Sequence, residues 1–350
     1  MLIPLYSLLP EPLAEFAGSQ FPAYRIQQLF QWLYRHFRND PDGMYNLPGD
    51  FRQYLKDNFS FSLPAIDSKL VAPDGSTKYR LKLEDGARVE SVLIPEGKKR
   101  TLCISSQVGC GRKCTFCSTG KMGLIRNLEI HEIVGQIVVA SRELYALDGQ
   151  DAHLTNLVLM GMGEPFDNRE AVFDTLRLIQ HPQTLAISPR RTTVSTCGVI
   201  PGIIAMADSG IKAKLAVSLN AAIDAKRRSL MPINRAYPLT ELKQALLYFR
   251  RKSKFRITLE YVLIPGVNMA EEDLRALRKF VGDLSCKINF IPYNPGQDSP
   301  YQVPSPRQIE EFMVKAQSLP QAVTLRRSRG AEVFGACGQL GYKPTKETKK

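Results

Sequence analysis

Val108-Gly-Cys-Gly-Arg-Lys-Cys-Thr-Phe-Cys-Ser-Thr-Gly120 is the stretch on which the reading of this chain turns. It sets Cys110, Cys114 and Cys117 at i, i+4 and i+7, a spacing at which three thiolates can hold three irons of a cubane 4Fe–4S cluster. The fourth iron is then left without a protein ligand and open to a small molecule. Most electron-transfer clusters take four cysteines, and structural zinc is usually closed by four Cys or His ligands. A trio with Phe116 just before its last member therefore points to a cluster that chelates its own substrate. Two plainer readings are weaker. Buried packing cysteines ill fit a segment rich in Gly, Lys and Ser, and a zinc knuckle lacks a close fourth ligand, the next one downstream being His131 in a predicted helix.

Outward from the trio, the chain after Thr101 alternates strand and helix. Apolar strand-like runs occur at Thr101–Ser105, Asn156–Met160, Thr192–Thr196, Ala213–Leu219, Ile257–Ile264 and Ile288–Ile291, with a shorter one at Ala322–Leu325. Amphipathic stretches such as Ile130–Leu147, Arg169–Ile179, Leu239–Phe249, Glu271–Val281 and Pro306–Leu319 lie between them. Units of this kind predict an α/β fold with a parallel sheet under covering helices. Six or so units are too few to close eight strands, so an open, partial (β/α)6 barrel is expected. Chemistry in such barrels gathers at the C-terminal ends of the strands, and the trio follows the first strand.

Upstream the pattern differs. Ala23 to Phe37 places Ile26, Leu29, Phe30, Leu33, Tyr34 and Phe37 at three- and four-residue intervals, with Trp32 and Arg35 on another side. Pro48-Gly49 then separates a second short helix, Phe51 to Phe59. Alternating residues in Ser76–Leu83 and Arg88–Ile94, around Glu84-Asp85-Gly86, read as a β-hairpin. The expected organisation is a compact basic helical module at 1–62, a β-hairpin extension at 63–98, the partial barrel at 99–342 and a frayed basic tail at 343–350.

Of 350 residues, 47 are Lys or Arg and 34 are Asp or Glu, a formal net charge of +13. Such a surplus favours a polyanionic partner, because basic side chains gain affinity by displacing phosphate counterions. The basic clusters are Arg25 to Arg38, Lys98–Arg100, Lys226–Arg228, Arg250–Lys254 and Arg326–Arg329. No apolar run approaches the ~20 residues of a membrane span, and the N-terminus does not read as a signal peptide. Seven cysteines, three of them clustered, argue against a disulfide framework and for a reducing, cytoplasmic location.

Short polar groups recur at the strand ends. Met160-Gly-Met-Gly-Glu-Pro165 offers close backbone approach at Gly163 and, at Glu164, a carboxylate to accept from a cationic amine. Ser195-Thr-Cys-Gly198 follows the third strand and Ser218-Leu-Asn220 the fourth, while Met231-Pro-Ile-Asn234 and Pro292-Tyr-Asn-Pro295 add amides. Two more thiols stand apart: Cys103 on the first strand, and Cys337 among small residues in Gly335-Ala-Cys-Gly-Gln-Leu340. Cys197 and Cys286 read as structural.

The trio resembles that of the radical-SAM superfamily. Together with Cys103-Ile-Ser-Ser-Gln-Val-Gly-Cys110, the Gly-Glu-Pro and Ser-Thr-Cys-Gly loops, Met-Pro-Ile-Asn, Ala-Cys-Gly-Gln-Leu and Tyr24-Arg-Ile-Gln-Gln-Leu-Phe-Gln-Trp-Leu-Tyr34, it resembles the RlmN/Cfr family of RNA adenine methyltransferases over almost the whole chain. The resemblance implies a radical-SAM partial barrel, with Cys110, Cys114 and Cys117 as cluster ligands. It also implies two S-adenosylmethionine molecules per turnover. One would methylate Cys337; the other would yield the radical that activates that methyl for addition to an adenine carbon. By the same resemblance Cys103 resolves the adduct through a Cys103–Cys337 disulfide. Glu90 matches a proton acceptor, though whether it or Cys103 removes the ring proton stays open. Gly163, Glu164, Ser195, Ser218, Leu219, Asn220 and Asn294 would contact S-adenosylmethionine.

The implied substrates are 23S rRNA and, for the RlmN branch, tRNA. An electron donor such as flavodoxin or ferredoxin would serve a single chain acting as a monomer. Two places depart from the family: Asn220 stands where a His is usual, and Gly330-Ala-Glu-Val-Phe-Gly335 replaces Gly-Asp-Asp or Gly-Ile-Asp. Both bear on cofactor affinity and substrate fit more than on reaction type. C2 methylation is the leading reading. Cfr-like C8 methylation, which confers antibiotic resistance on the ribosome, and a non-catalytic RNA-binding protein with a structural metal are the alternatives.

Overall fold

The computed structural model of the chain describes residues 2–149, 153–296 and 299–341, so the tail expected at 343–350 lies outside the described residues. Along the chain, β1 (Ile3–Pro4) precedes α1 (Pro10–Ala17), α2 (Ala23–Tyr34) and α3 (Gly49–Asn58), and pairs in parallel with β2 (Phe59–Ser60). These helices bury Leu13, Ile26, Leu29, Phe30, Leu33, Phe51 and Leu55 among themselves. Two expectations for α2 are corrected. The helix stops at Tyr34 because Phe37, at φ 51°, reverses the chain and lets the Arg38 amide bond back to the Trp32 carbonyl at 2.9 Å. Trp32 lies in the core, only 7% exposed, because the chain after α2 folds back over it and Asn46 Oδ1 accepts from its Nε1 at 2.6 Å.

Next come β3 (Ala65–Val71), β4 (Thr77–Lys82), β5 (Arg88–Glu96) and β6 (Lys99–Cys103), an antiparallel run. The predicted hairpin is β4–β5, but β3 adds a third strand and β5 pairs directly with β6. The extension therefore continues the main sheet. Beyond β6 lie β7 (Gln107–Cys110), α4 (Ser118–Met122), β8 (Gly123–Asn127), α5 (Ile130–Asp148), β9 (Asn156–Leu159), α6 (Arg169–Gln180), β10 (Thr192–Thr196), α7 (Ile200–Asp208), β11 (Lys214–Ser218), α8 (Asp224–Leu230), α9 (Leu239–Lys252), β12 (Ile257–Leu263), α10 (Glu271–Val281), β13 (Cys286–Pro292), α11 (Pro306–Ala316) and β14 (Ala322–Leu325).

The sheet runs β14-β13-β12-β11-β10-β9-β6-β5-β4-β3 and does not close. From β6 to β14 every neighbouring pair is parallel. Alternation along each strand decides what faces where. On β12, Ile257, Leu259, Tyr261 and Leu263 are buried against the outer helices, while Glu260 and Val262 line the cavity inside the barrel. The inner face sets a few polar groups, Ser195, Ser218 and Glu260 among them, in an otherwise largely apolar wall that includes Leu159, Val262 and Ile291. Among the described residues no helix is long and apolar enough to cross a membrane.

Candidate active site

The three cysteines sit on a brace that the sequence did not reveal. β7 and β8 form an antiparallel ribbon around them, with Cys110 at the end of β7. The ribbon needs glycine at 109: its φ is +78°, and a Cβ there would lie 1.9 Å from the Gly123 carbonyl oxygen. Arg112 grips Asp167 in a two-pronged ion pair, Nε to Oδ2 at 2.6 Å and Nη2 to Oδ1, tying the cysteine loop to the loop after β9. Thr115 N donates to the Leu230 carbonyl at 3.0 Å.

Cys110, Cys114 and Cys117 line one cavity of about 160 Å³ at the C-terminal ends of the parallel strands. Burial pushes the Cys110 thiol up to about 12 and raises Cys114 too, where neighbouring Cys117 and Cys110 add to the effect. Such thiols are neutral unless cations hold them as thiolates. Three thiols on one cavity wall match a cubane whose fourth iron is left to a ligand, since each thiolate takes a different iron. The donor set therefore fits a 4Fe–4S cluster held by Cys110, Cys114 and Cys117.

Opposite the trio, Gly163 and Glu164 line the cavity. Gly163, at φ +101°, packs so close to Gln107 that a Cβ would lie 2.8 Å from its backbone nitrogen. Glu164 is 3% exposed, and burial raises its carboxyl above the usual range. Its Oε2 accepts from Cys197 N at 2.7 Å and its Oε1 from Phe166 N at 3.1 Å. These bonds fix the carboxyl at the cavity wall.

Arg227 corrects the reading of Lys226–Arg228 as a nucleic-acid-binding run. It is wholly buried, donating through Nε to the Leu219 carbonyl at 3.1 Å, and through Nη2 to the Cys197 and Ser218 carbonyls at 2.6 and 3.3 Å. Nη1 donates to Asn234 Oδ1 at 2.9 Å, and Asn234 Nδ2 in turn to Asp224 Oδ1 at 2.7 Å. Lys226 is paired with Asp273 and Glu272. Arg227 is thus a cross-brace under the loops that carry Ser195, Cys197 and Ser218. The one sequence signal for it was the Met-Pro-Ile-Asn234 amide seven residues on.

Ser195, Ser218 and Asn220 line the cavity, whereas Leu219 is buried away from it and Asn294 donates to Ser328 Oγ at 2.7 Å. Asn220 holds φ +57°, a conformation its short amide tolerates. Its Oδ1 accepts from Val262 N at 2.9 Å, so the amide helps set the pocket's shape. Cys197, read as structural, is buried but also faces the cavity. Glu260 was not singled out, although a lone acid inside an apolar strand was its signal. It is 6% exposed and lines the cavity; Oε1 accepts from Asn289 and Oε2 has no partner.

Cys337 lies where two cavities meet. It lines the cavity of the trio and also a second, of about 120 Å³, shared with Cys103. Burial pushes the Cys103 thiol up to about 12, with charge on Cys337 adding to it, whereas Cys337 is itself exposed and lies beside the Arg326 guanidinium. Arg326 lines both cavities, and Arg327 and Arg329 line the second. Glu90 lies off both. It is 3% exposed on β5, paired with Lys78 at 3.3 Å, and accepts from Gly341 N at 2.9 Å.

Residues 104–278 match the Radical SAM superfamily. The dual-specificity RNA methyltransferase RlmN of Bdellovibrio bacteriovorus is 43% identical, over 96% of this chain and 83% of that protein. The protein of the same name from Desulfotalea psychrophila is 40% identical, over 99% and 96%. The crystal structure of a radical SAM methyltransferase from Sphaerobacter thermophilus superposes with a TM-score of 0.92 at 38% identity, covering 97% of this chain and 99% of that one.

Proposed function

This chain belongs to the radical SAM superfamily and, within it, to the RlmN RNA methyltransferases, and we propose that it methylates C2 of an adenine in 23S rRNA and in tRNA. The family implies a 4Fe–4S cluster and S-adenosylmethionine as cofactors, and two molecules of the latter are consumed per turnover. When bound, they supply the methyl group and the one-electron chemistry that an adenine ring carbon, a poor nucleophile, requires.

The chain's own residues then divide the work. Cys110, Cys114 and Cys117 hold the cluster. Gly163, Glu164, Ser195, Ser218 and Asn220, which line the cavity, form the S-adenosylmethionine site, with Glu164 accepting from the amino group and Asn220 acting partly through the pocket's shape; Leu219 and Asn294, off the cavity wall, serve it only from behind, through their bonds to Arg227 and Ser328. Cys337 Sγ carries the methyl carbon, a task suited to sulfur's nucleophilicity. Cys103, as thiolate, attacks Cys337 Sγ; the S–S bond forms as the S–C bond to the base breaks, and the released carbon keeps the bonding pair, which the ring delocalises, and takes a solvent-exchangeable proton to become the methyl group. Glu90 accepts the ring proton, which requires it to leave its present partners. An electron donor of the flavodoxin or ferredoxin kind serves a single chain. The basic surplus supports a folded RNA whose adenine is presented unstacked.

The observation that carries this reading is the double exposure of Cys337, to the cavity of the trio on one side and to that of Cys103 on the other. The test is nucleoside mass spectrometry after anaerobic reaction with deuterated-methyl S-adenosylmethionine, a reductant, and unmodified 23S rRNA or tRNA. We expect 2-methyladenosine that has exchanged out one methyl deuterium. 8-Methyladenosine would assign the chain to C8 chemistry, and no methylated adenosine from a cluster-loaded protein would overturn the proposal.

A further inference from the structure

We propose that the buried Lys78–Glu90 ion pair is a clamp that grips the backbone on both sides of Cys337 and so positions its thiol between the two cavities. The inference rests on the reading of Cys337 as methyl carrier. Lys78 on β4 pairs in register with Val92, and Glu90 on β5 with Arg80, so the two charges are diagonal neighbours across the ladder. Their side chains are 10% and 4% exposed, with Nζ and Oε1 3.3 Å apart.

Neither charge is satisfied by its partner alone, and each reaches out to the same segment. Lys78 Nζ donates to the Phe334 carbonyl at 3.4 Å, three residues before Cys337. Glu90 Oε2 accepts from Gly341 N at 2.9 Å, four residues after it. The grip falls where the backbone needs holding. Phe334, bulky and 44% exposed, sits at φ +52°, in the left-handed region that such a residue adopts only when its surroundings impose it. Its side chain is too exposed to supply that constraint, while the Lys78 bond to its carbonyl and the Gly335 N bond to the Gly330 carbonyl at 2.8 Å do supply it.

In this arrangement both oxygens of Glu90 are engaged, one by Lys78 and the other by Gly341. Glu90 is thereby a positioning residue for Cys337, whatever it also does with the ring proton, and Lys78 is its obligate partner. A role confined to proton acceptance would make no demand on Lys78 before RNA arrives.

The test uses the full-length, cluster-loaded protein without RNA and reads two things by peptide mass spectrometry: methyl loading of Cys337 from S-adenosylmethionine, and the rate at which iodoacetamide alkylates Cys337. Lys78→Met should slow loading and speed alkylation, each by about tenfold, the scale of a lost hydrogen bond to a charged group, at unchanged iron content. Lys78→Arg should restore both to within about threefold, because it keeps the charge and the donor. Loading and alkylation within twofold of the parent in Lys78→Met would overturn the clamp. If the parent never acquires a methyl on Cys337, the methyl-carrier reading fails, and alkylation alone still decides the clamp. Should Lys78→Met not fold, Glu90→Gln carries the comparison: it keeps an oxygen for Gly341 N but loses the ion pair, so faster alkylation is expected and an unchanged rate overturns the inference.

Discussion

The loops after β10 and β11 and the segment around Cys337 line the same cavity but are mounted differently. The first leave adjacent parallel strands and are drawn together from beneath by Arg227, whose guanidinium takes carbonyls from Cys197, Ser218 and Leu219. Glu164 ties a third loop to the same place through Cys197 N. The second contains only a short 3-10 turn, Ala331–Val333, and hangs from residues remote in the chain. Asp74 takes Gly330 N, Lys78 the Phe334 carbonyl, Glu90 Gly341 N, and Thr119 the Leu340 carbonyl. A wall stitched to a sheet at every strand end resists displacement. A segment held by a few polar bonds over little buried apolar surface opens at lower free energy, which suits the role proposed for Cys337, whose sulfur would serve two cavities in turn.

The sharpest way to break this comparison is to remove one thiol from the hanging side. Cys103→Ala should abolish release of methylated RNA while leaving iron content and the methyl on Cys337 intact, so that a covalent protein–RNA adduct accumulates on denaturing gels. Free methylated RNA made at the parent rate would show that Cys103 does not resolve the adduct. The opposite experiment attacks the stitched side. Arg227→Met leaves the Cys197, Ser218 and Leu219 carbonyls and the Asn234 amide oxygen without their buried donor, and should cost about 3–5 kcal/mol of stability, since each buried acceptor left unpaired costs roughly 1–3 kcal/mol and the loops relax to recover part of it. Denaturant unfolding reads it. Iron content should fall with stability here, as it should not in Cys103→Ala.

The two sides also differed in how legible they were. The strands, their parallel order and the polar strand ends followed from the local rhythm of apolar runs and turn residues, because each βα unit advertises itself within about 30 residues. Gly163, Glu164, Ser195 and Ser218 could be placed at one end of a barrel on that basis alone. Arg227 could not, since a basic run looks alike on a surface and under a loop, and only the carbonyls converging on it tell the two apart. Trp32 was misjudged for the same reason: the loop that buries it comes from beyond the helix whose periodicity was read. On the hanging side almost nothing was local. That Cys337 sits beside Cys103 and is gripped by Lys78 and Glu90 depends on pairs some 230–260 positions apart, and only the family resemblance joined Cys103, Glu90 and Cys337.

A smaller effect is expected at Asn220, on the stitched side. Asn220 closes the β11–β12 seam through Val262 N while its backbone holds φ +57°. Asn220→His keeps a residue that tolerates this conformation but moves the acceptor away from Val262 N, at a cost of about 1–2 kcal/mol for one buried donor left unpaired. A midpoint in denaturant unchanged from the parent would show that imidazole reproduces the bond.

The smallest effect tests whether the two sides communicate through charge. Glu260 stands on β12, on the stitched side; burial raises its carboxyl, and the cation that chiefly opposes the rise is Arg326, beside Cys337. An acid whose folded value lies above its unfolded one binds its proton more tightly in the native state. Its contribution to stability is therefore fully present below the ordinary carboxylate range and is lost as pH climbs from there through the raised value. Glu260→Gln cannot titrate and keeps an oxygen for Asn289 Nδ2, so the variant should match the parent below the ordinary carboxylate range and melt higher at neutral pH, by about 1–3 °C, the shift that roughly 1 kcal/mol produces in a large domain. Combining it with Arg326→Gln should enlarge that gain, because the parent for comparison then lacks the guanidinium that steadies the ionised carboxyl. A gain of the same size with and without Arg326 would mean that the two sides of the cavity share a space but no electrostatic coupling.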